Sequence, residues 1–228
     1  MQISESFPEK EISFAQAFEP RTVYTVKKDA VPIAGSERTA YRRLVVLESL
    51  GLANFRSGRF QITSRVSRQP PDILKKLLPS LIALKSARRF GRFYNDSDIR
   101  FMMKHAPEHS LVTLDFKAWE LTRFQTPNDL FIYVDDVEQF ATFLKNTGFS
   151  EGKNGHIVLL SKAGNFANEI ERVYLDCIAK GGRSTLDAIA IDLLYGDKLS
   201  VRGQFPIEMI TKVQEAMPPE MINVEASS

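Results

Sequence analysis

Apolar residues near the start of the chain fall at helical spacing. Ile12, Phe14, Ala15 and Phe18 share one side of a short amphipathic helix over Glu9 to Phe18, which must end before Pro20. Thr22 to Ala30, with Val23 and Val26 apolar and Lys27 and Lys28 polar, predicts a second short helix that Pro32 keeps from extending smoothly. The sharpest pattern is SERTAYRRLVVLESLG: Ser36 suits an N-cap, Gly51 suits the residue just past a C-cap, and Ala40, Leu44 and Leu47 recur on one face between them. Arg38, Thr39, Arg42 and Arg43 project from the other side of this third helix. Leu52 to Phe55 and Arg59 to Ile62 read as two strands joined by Ser57-Gly58, with Phe60 and Ile62 inward and Arg56 and Arg59 flanking the tip.

A polar stretch from Thr63 to Gln69 and the pair Pro70-Pro71 mark a boundary, which divides the chain into 1–68 and 69–228. Beyond it, Ile73, Leu74, Leu77, Leu78, Leu81, Ile82 and Leu84 predict helical packing across 72–89, kinked or divided at Pro79, with Arg88, Arg89 and Arg92 as a charge cluster at its end. Val112, Leu114 and Phe116 alternate as in a strand, and the apolar run Leu130 to Val134 predicts a strand buried on both faces. Val137, Phe140 and Leu144 mark a helix ended by Gly148, and Ile157 to Leu160 another strand. Ile170, Val173, Tyr174, Cys177 and Ile178 mark a helix stopped by Gly181-Gly182. Ser184 and Asp187 form a capping-box pattern for the next helix, Pro206 opens a last one, and the tail from Pro218 is expected to fray. The predicted class is α+β, an N-terminal helical and hairpin domain followed by a mixed α/β domain.

Composition changes this picture in two places. A chain of 228 residues that is 43% hydrophobic and 25% charged can bury two modest cores. Its formal net charge of +2 conceals an asymmetry: residues 1–106 carry 19 Lys and Arg against 10 Asp and Glu, a net of +9, and residues 107–228 carry 11 against 18, a net of −7. The basic half attracts a polyanion, with counterion release as the driving force. No apolar run reaches the roughly 20 residues of a membrane span, and the opening MQISESFPEKE is unlike a signal peptide, so no membrane partner and a cytoplasmic location are expected. The single Cys177 excludes an intramolecular disulfide and lies in an apolar stripe.

Ser36 to Leu52 and the hairpin to Thr63 resemble the winged helix-turn-helix regulators of bacteria and archaea: polar residues, Tyr-Arg-Arg-Leu, Leu-Glu-x-Leu-Gly-Leu, then a short basic hairpin. That resemblance implies that double-stranded DNA is the partner. Arg38, Thr39, Arg42 and Arg43 would face the major groove from a helix that Ser36 begins, and Lys27, Lys28, Arg56 and Arg59 would meet phosphates. Val173-Tyr174-Leu175-Asp176 followed by Gly181-Gly182-Arg183 and Ala188 is similar to the AbiEi family, antitoxin-type regulators of abortive-infection (type IV toxin–antitoxin) systems. The resemblance implies repression of a promoter, a cognate toxin system, and a C-terminal domain that adds DNA contacts or self-association as a homodimer.

Enzyme chemistry is the competing reading, a metal-dependent nuclease or nucleotidyltransferase. Asp135-Asp136 at a strand end is a candidate metal pair, but adjacent strand residues face opposite ways and Asp136 suits a helix cap. Asp115-Phe116-Lys117 would set a carboxylate and an ammonium on one strand face, with Asp96 or Asp98 upstream. His105, His109 and His156 lack neighbouring ligands, the glycines between Gly148 and Gly155 read as a surface turn, and Trp119, Phe124 and Phe131 read as core. No enzyme activity, catalytic residue, metal or cofactor is expected.

Overall fold

The computed structural model describes residues 8–63, 69–92, 95–162 and 168–218. The polar stretch past Thr63, the tail beyond Pro218 and the Asp96 side chain lie outside them. The fold is mixed α+β and divides into two compact units, 1–85 and 86–228, so the helix after Pro70-Pro71 belongs to the first unit, past the 68/69 boundary expected from sequence. No helix among the described residues is long and apolar enough to cross a membrane.

The first unit runs α1 (Glu9–Gln16), β1 (Val23–Thr25), a π-helical turn (Val26–Ala30), α2 (Val31–Ala34), α3 (Glu37–Ser49), β2 (Ala53–Arg56), β3 (Arg59–Ile62) and α4 (Pro71–Lys85). α3 has both expected ends. The Ser36 hydroxyl accepts from Thr39 N at 3.2 Å, while the amides of Leu52 and Gly51 donate to the carbonyls of Leu47 and Glu48 at 2.8 and 3.0 Å. This closes the helix in a left-handed turn that Gly51 makes without strain at φ +73°. β2 and β3 form the expected hairpin, with Ser57 and Gly58 both at positive φ and Phe60 and Ile62 buried.

The helix expected over Thr22 to Ala30 is corrected in its first half only, Val26–Ala30 being helical, as a π-helical turn. Its first part is β1, an edge strand that pairs antiparallel with β3 to give the order β1-β3-β2. Tyr24 lies beside Phe60 and Phe18, with ring centroids at 5.6 and 5.1 Å, so a cross-strand aromatic cluster overrides the local helical signal. Pro32 sits in the first turn of α2, where its missing N–H costs nothing. Phe14 of α1 packs on Phe18, just past the helix, and the Phe18 ring meets Phe60 of β3 at 4.8 Å. α4 runs through Pro79 as one helix burying Ile73, Leu74, Leu77 and Leu81.

The second unit holds a five-stranded sheet. Its strands are β4 (Arg88–Gly91), β5 (Leu111–Thr113), β6 (Leu130–Val134), β7 (Ser150–Glu151) and β8 (Ile157–Ser161), in the order β5-β6-β8-β4-β7, with β6 and β8 parallel and the other pairings antiparallel. The helices are α5 (Asn95–His105), α6 (Leu114–Thr122), α7 (Val137–Asn146), α8 (Glu169–Lys180), α9 (Ser184–Tyr195) and α10 (Ile207–Ala216). Leu130 to Val134 is buried throughout, as its sequence requires of a central strand covered on both sides. Leu130, Ile132, Val134, Ile157 and Leu159 pack against α5 and α7, and Phe131 and Tyr133 meet side chains of α8 on the opposite face.

Four expectations change here. Arg88 and Arg89 are strand residues rather than a helix end, because β4 pairs with β8 over Arg88 to Phe90. The strand expected through Leu114 and Phe116 stops at Thr113, since Leu114 takes φ +53° and opens α6. The supposed surface turn before Gly155 contains β7. Ser184 and Asp187 are buried inside α9, whose N-cap is Arg183 without a side-chain bond, so they form no capping box.

Candidate functional site

The basic residues of the first unit fall into two groups. Arg38 and Arg42 are exposed on the polar face of α3, and among the described residues neither makes an ion pair. Thr39 is half-buried and engaged with the N-cap, its Oγ1 accepting from the Ser36 hydroxyl at 2.9 Å. Arg43 departs from the expected groove-facing set: its guanidinium lies over the Phe14 ring at 5.4 Å, and its Nε is buried without a hydrogen-bond partner. It pins α1 to α3, so its stem and charge serve packing.

The second group surrounds the hairpin tip. Arg56 and Arg59 are direct cross-strand partners, both exposed, and Thr25 faces Arg59 from the other side. Val26 N donates to Gly58 O at 2.9 Å, which brings Lys27 and Lys28, both exposed, next to the tip. Asp29 is the acidic neighbour there. The Thr25 amide holds its carboxyl below the ordinary aspartate range, with a smaller contribution from Lys28. Two arginines placed opposite each other repel, an arrangement that a bound anion relieves.

A different site lies in the second unit. A polar cavity of about 130 Å³ is lined by side chains that include Asp115, Gln125, Asp129, Lys180, Arg183 and Asp187. They come from the start of α6, the segment just before β6, and the end of α8 with the first turn of α9. Most are already paired. Lys180 Nζ meets Asp115 Oδ1 at 2.5 Å, and Asp129 takes Arg89 Nη1 at 2.8 Å and His156 Nδ1 at 3.2 Å. Arg183 donates to Gln125 Oε1 at 2.6 Å and to the Thr126 carbonyl at 3.0 Å. Asp187 is the exception: the residue is 5% exposed, and its Oδ1 is buried with no hydrogen-bond partner. Burial pushes its carboxyl up to about 6, the Gln125 amide opposes this, and the nearby Asp115 charge adds to it.

The residues weighed for metal chemistry do not converge. Asp115 and Lys117 lie on α6, not on one strand face, and Lys117 pairs with Glu120 and Glu169. Asp136 caps α7 by accepting from Gln139 N at 2.8 Å, and Asp135 pairs with Lys162. Asp98 is buried and bound by Arg92. Among the described residues no group of three or more His, Cys, Asp or Glu is placed to hold a metal ion. Trp119 is partly exposed beneath Arg123 at 4.0 Å instead of lying in the core.

Sequence reasoning missed Asp129, Lys180 and Asp187 as a set, because they come from three separate segments, the turn before β6, the end of α8 and the first turn of α9. The one local signal was a carboxylate inside the apolar stripe of α9, read as a cap. The Tyr174-Leu175-Asp176 segment is buried. Asp176 accepts from Thr113 Oγ1 at 2.5 Å and from Tyr133 OH at 2.9 Å, which ties α8 to β5 and β6, and Gly181 and Gly182, both at positive φ, turn the chain into α9. No family model matches this sequence, and no curated protein or solved structure is significantly similar to it.

Proposed function

We propose that this protein is a DNA-binding regulator whose first unit is a winged helix: α3 enters the major groove and the β2–β3 hairpin rests on the phosphate backbone. The observation that carries this reading is a set of exposed cations that make no ion pair among the described residues. Arg38 and Arg42 stand on a capped helix, and Lys27, Lys28, Arg56 and Arg59 gather at a hairpin tip, in a unit with 14 Lys and Arg against 8 Asp and Glu. Cations set against each other without carboxylate partners are costly in isolation and favourable against a polyanion. Arg38 and Arg42 act at base edges, and the hairpin cations set register on the backbone. Arg43 stays behind as a packing residue.

The resemblance of Tyr174-Leu175-Asp176 and Gly181-Gly182-Arg183 to the AbiEi family supports a repressor of antitoxin type, working in the cytoplasm as a homodimer beside a toxin gene. Duplex binding titrated against salt tests the central claim. Arg42→Ala is expected to weaken binding to the preferred duplex by about tenfold or more, while Arg56→Ala with Arg59→Ala lowers the salt slope by about 2. Duplex affinity unchanged in both variants would remove α3 and the hairpin as the reading surface.

A further inference from the structure

We infer that the polar cavity of the second unit binds a small organic cation bearing N–H donors, a primary ammonium or a guanidinium, with Asp187 as its counter-ion. The inference rests on a charge inventory. Three carboxylates line the cavity, and two of them are already satisfied: Asp115 by Lys180, Asp129 by Arg89 and His156. Both lining cations are committed as well, Lys180 to Asp115 and Arg183 to Gln125 and the Thr126 carbonyl. What remains is Asp187, whose carboxyl has the Gln125 amide beside it but whose Oδ1 is buried without a hydrogen-bond partner among the described residues.

An unmatched buried acceptor is costly, and native proteins keep such groups where something else supplies the donor. With Asp187 ionised it is the lining carboxylate that has no ion pair among the described residues, since Asp115 is matched by Lys180 and Asp129 by Arg89, and a monocation with N–H donors supplies that pair. A carboxylate or phosphate occupant is disfavoured because it brings no N–H donor to this acceptor and sets like charge beside it. A metal ion is disfavoured because the carboxylates are not grouped to chelate one. The volume of about 130 Å³ admits a ligand of several heavy atoms and is too small for a nucleotide. An ammonium or guanidinium also suits the acceptor's chemistry, since a charge-assisted N–H···O bond to a carboxylate is stronger than a neutral one.

The site sits on the Gly181-Gly182-Arg183 turn, so an occupant would stiffen the junction of α8 with α9. This assignment is independent of DNA binding. The test uses the full chain with methylguanidinium and ethylammonium as probes, and tetramethylammonium, which has the same charge but no N–H, as control. In ¹H–¹⁵N spectra of the wild type, an N–H cation is expected to move the amides of Gly181, Ser184 and Asp187 saturably, and tetramethylammonium is expected to leave them in place. Asp187→Asn is expected to lower the affinity by about tenfold or more. Absence of a saturable shift with either N–H cation overturns the proposal, and so does an equal response to tetramethylammonium. Because the wild-type titration decides by itself, a variant that failed to fold would not rescue the idea, and an Asp187→Asn protein that folds and binds the probes unchanged would refute it.

Discussion

The two units of this chain treat charge in opposite ways. In the first, Arg38, Arg42, Arg56 and Arg59 are exposed and make no ion pair among the described residues, two of them directly across a hairpin from each other. In the second, charge is drawn inward and largely matched: Asp176 is 1% exposed and binds Thr113 and Tyr133, and Asp98 is 1% exposed and binds Arg92. Surface cations contribute little to a fold and much to encounter with a polyanion, whereas buried polar groups hold elements in register and are costly to break. One unit therefore sets its charge outward, toward solvent, and the other inward, on its own packing, with Asp187 Oδ1 among the atoms where the inward matching is incomplete.

The largest effect expected from this contrast follows removal of Asp176. Asp176→Ala leaves the Thr113 and Tyr133 hydroxyls buried without their acceptor, at a cost of about 2–4 kcal/mol. Trp119 is the chain's single tryptophan and belongs to the second unit, so denaturation followed by its fluorescence reads that unit selectively. A variant whose Trp119 transition stays at the wild-type midpoint would show that the buried network contributes nothing, and the contrast would fail on that side.

How much of this was legible in the residues depends on the range of the interactions. α3 was readable because Ser36, Gly51 and the Ala40-Leu44-Leu47 stripe all act within one helix, and the hairpin because Ser57-Gly58 fixes its own turn. β6 was readable because a strand covered on both faces has to be apolar throughout. β1 and β4 were missed for a common reason: each is three or four residues long and becomes a strand by pairing with a partner tens of residues away, β3 and β8. Arg88 and Arg89 even look like a helix end until β8 is set beside them. Leu114 was unreadable for another reason, since a leucine at φ +53° violates local preference and is held there by its 0% exposed packing. Of the candidate residues, Arg38 and Arg42 were placed by helical phase alone. Arg43, one position on, turned toward Phe14, and the phase of a helix cannot foresee which neighbour comes to cover it.

A smaller effect concerns pH. The Asp187 carboxyl is raised to about 6 in the fold from 3.8, so the folded state binds a proton that the unfolded state has already released over that interval. Stability contributed by this group is then complete below pH 4 and is lost as pH rises from about 4 to about 6, with an upper limit of about 3 kcal/mol. The direction is opposite to that of the ion-paired carboxylates, such as Glu151, which Arg88 and Lys145 hold down at about 2. Asp187→Asn removes the loss. The wild type minus Asp187→Asn stability difference, measured from pH 4 to pH 8, is expected to fall as pH rises to about 6 and then level. A flat difference would mean that Asp187 is solvated or already partnered.

The smallest expected change is also the one that separates the units most sharply. Replacing both Arg38 and Arg42 by Ala removes two cations that make no ion pair among the described residues, from a helix whose apolar face and caps are untouched. The stability of α3 should therefore move by no more than about 0.5 kcal/mol, either way, because alanine's higher helix propensity is small and no buried group loses a partner. Hydrogen exchange at the amides of Leu44 and Leu47 reads this directly, since both lie in the buried stripe of α3. If protection there is kept while duplex binding collapses, the guanidinium groups serve recognition and not the fold. Protection lost together with binding would instead make them part of the helix's own support, and the first unit would then handle its charges as the second does.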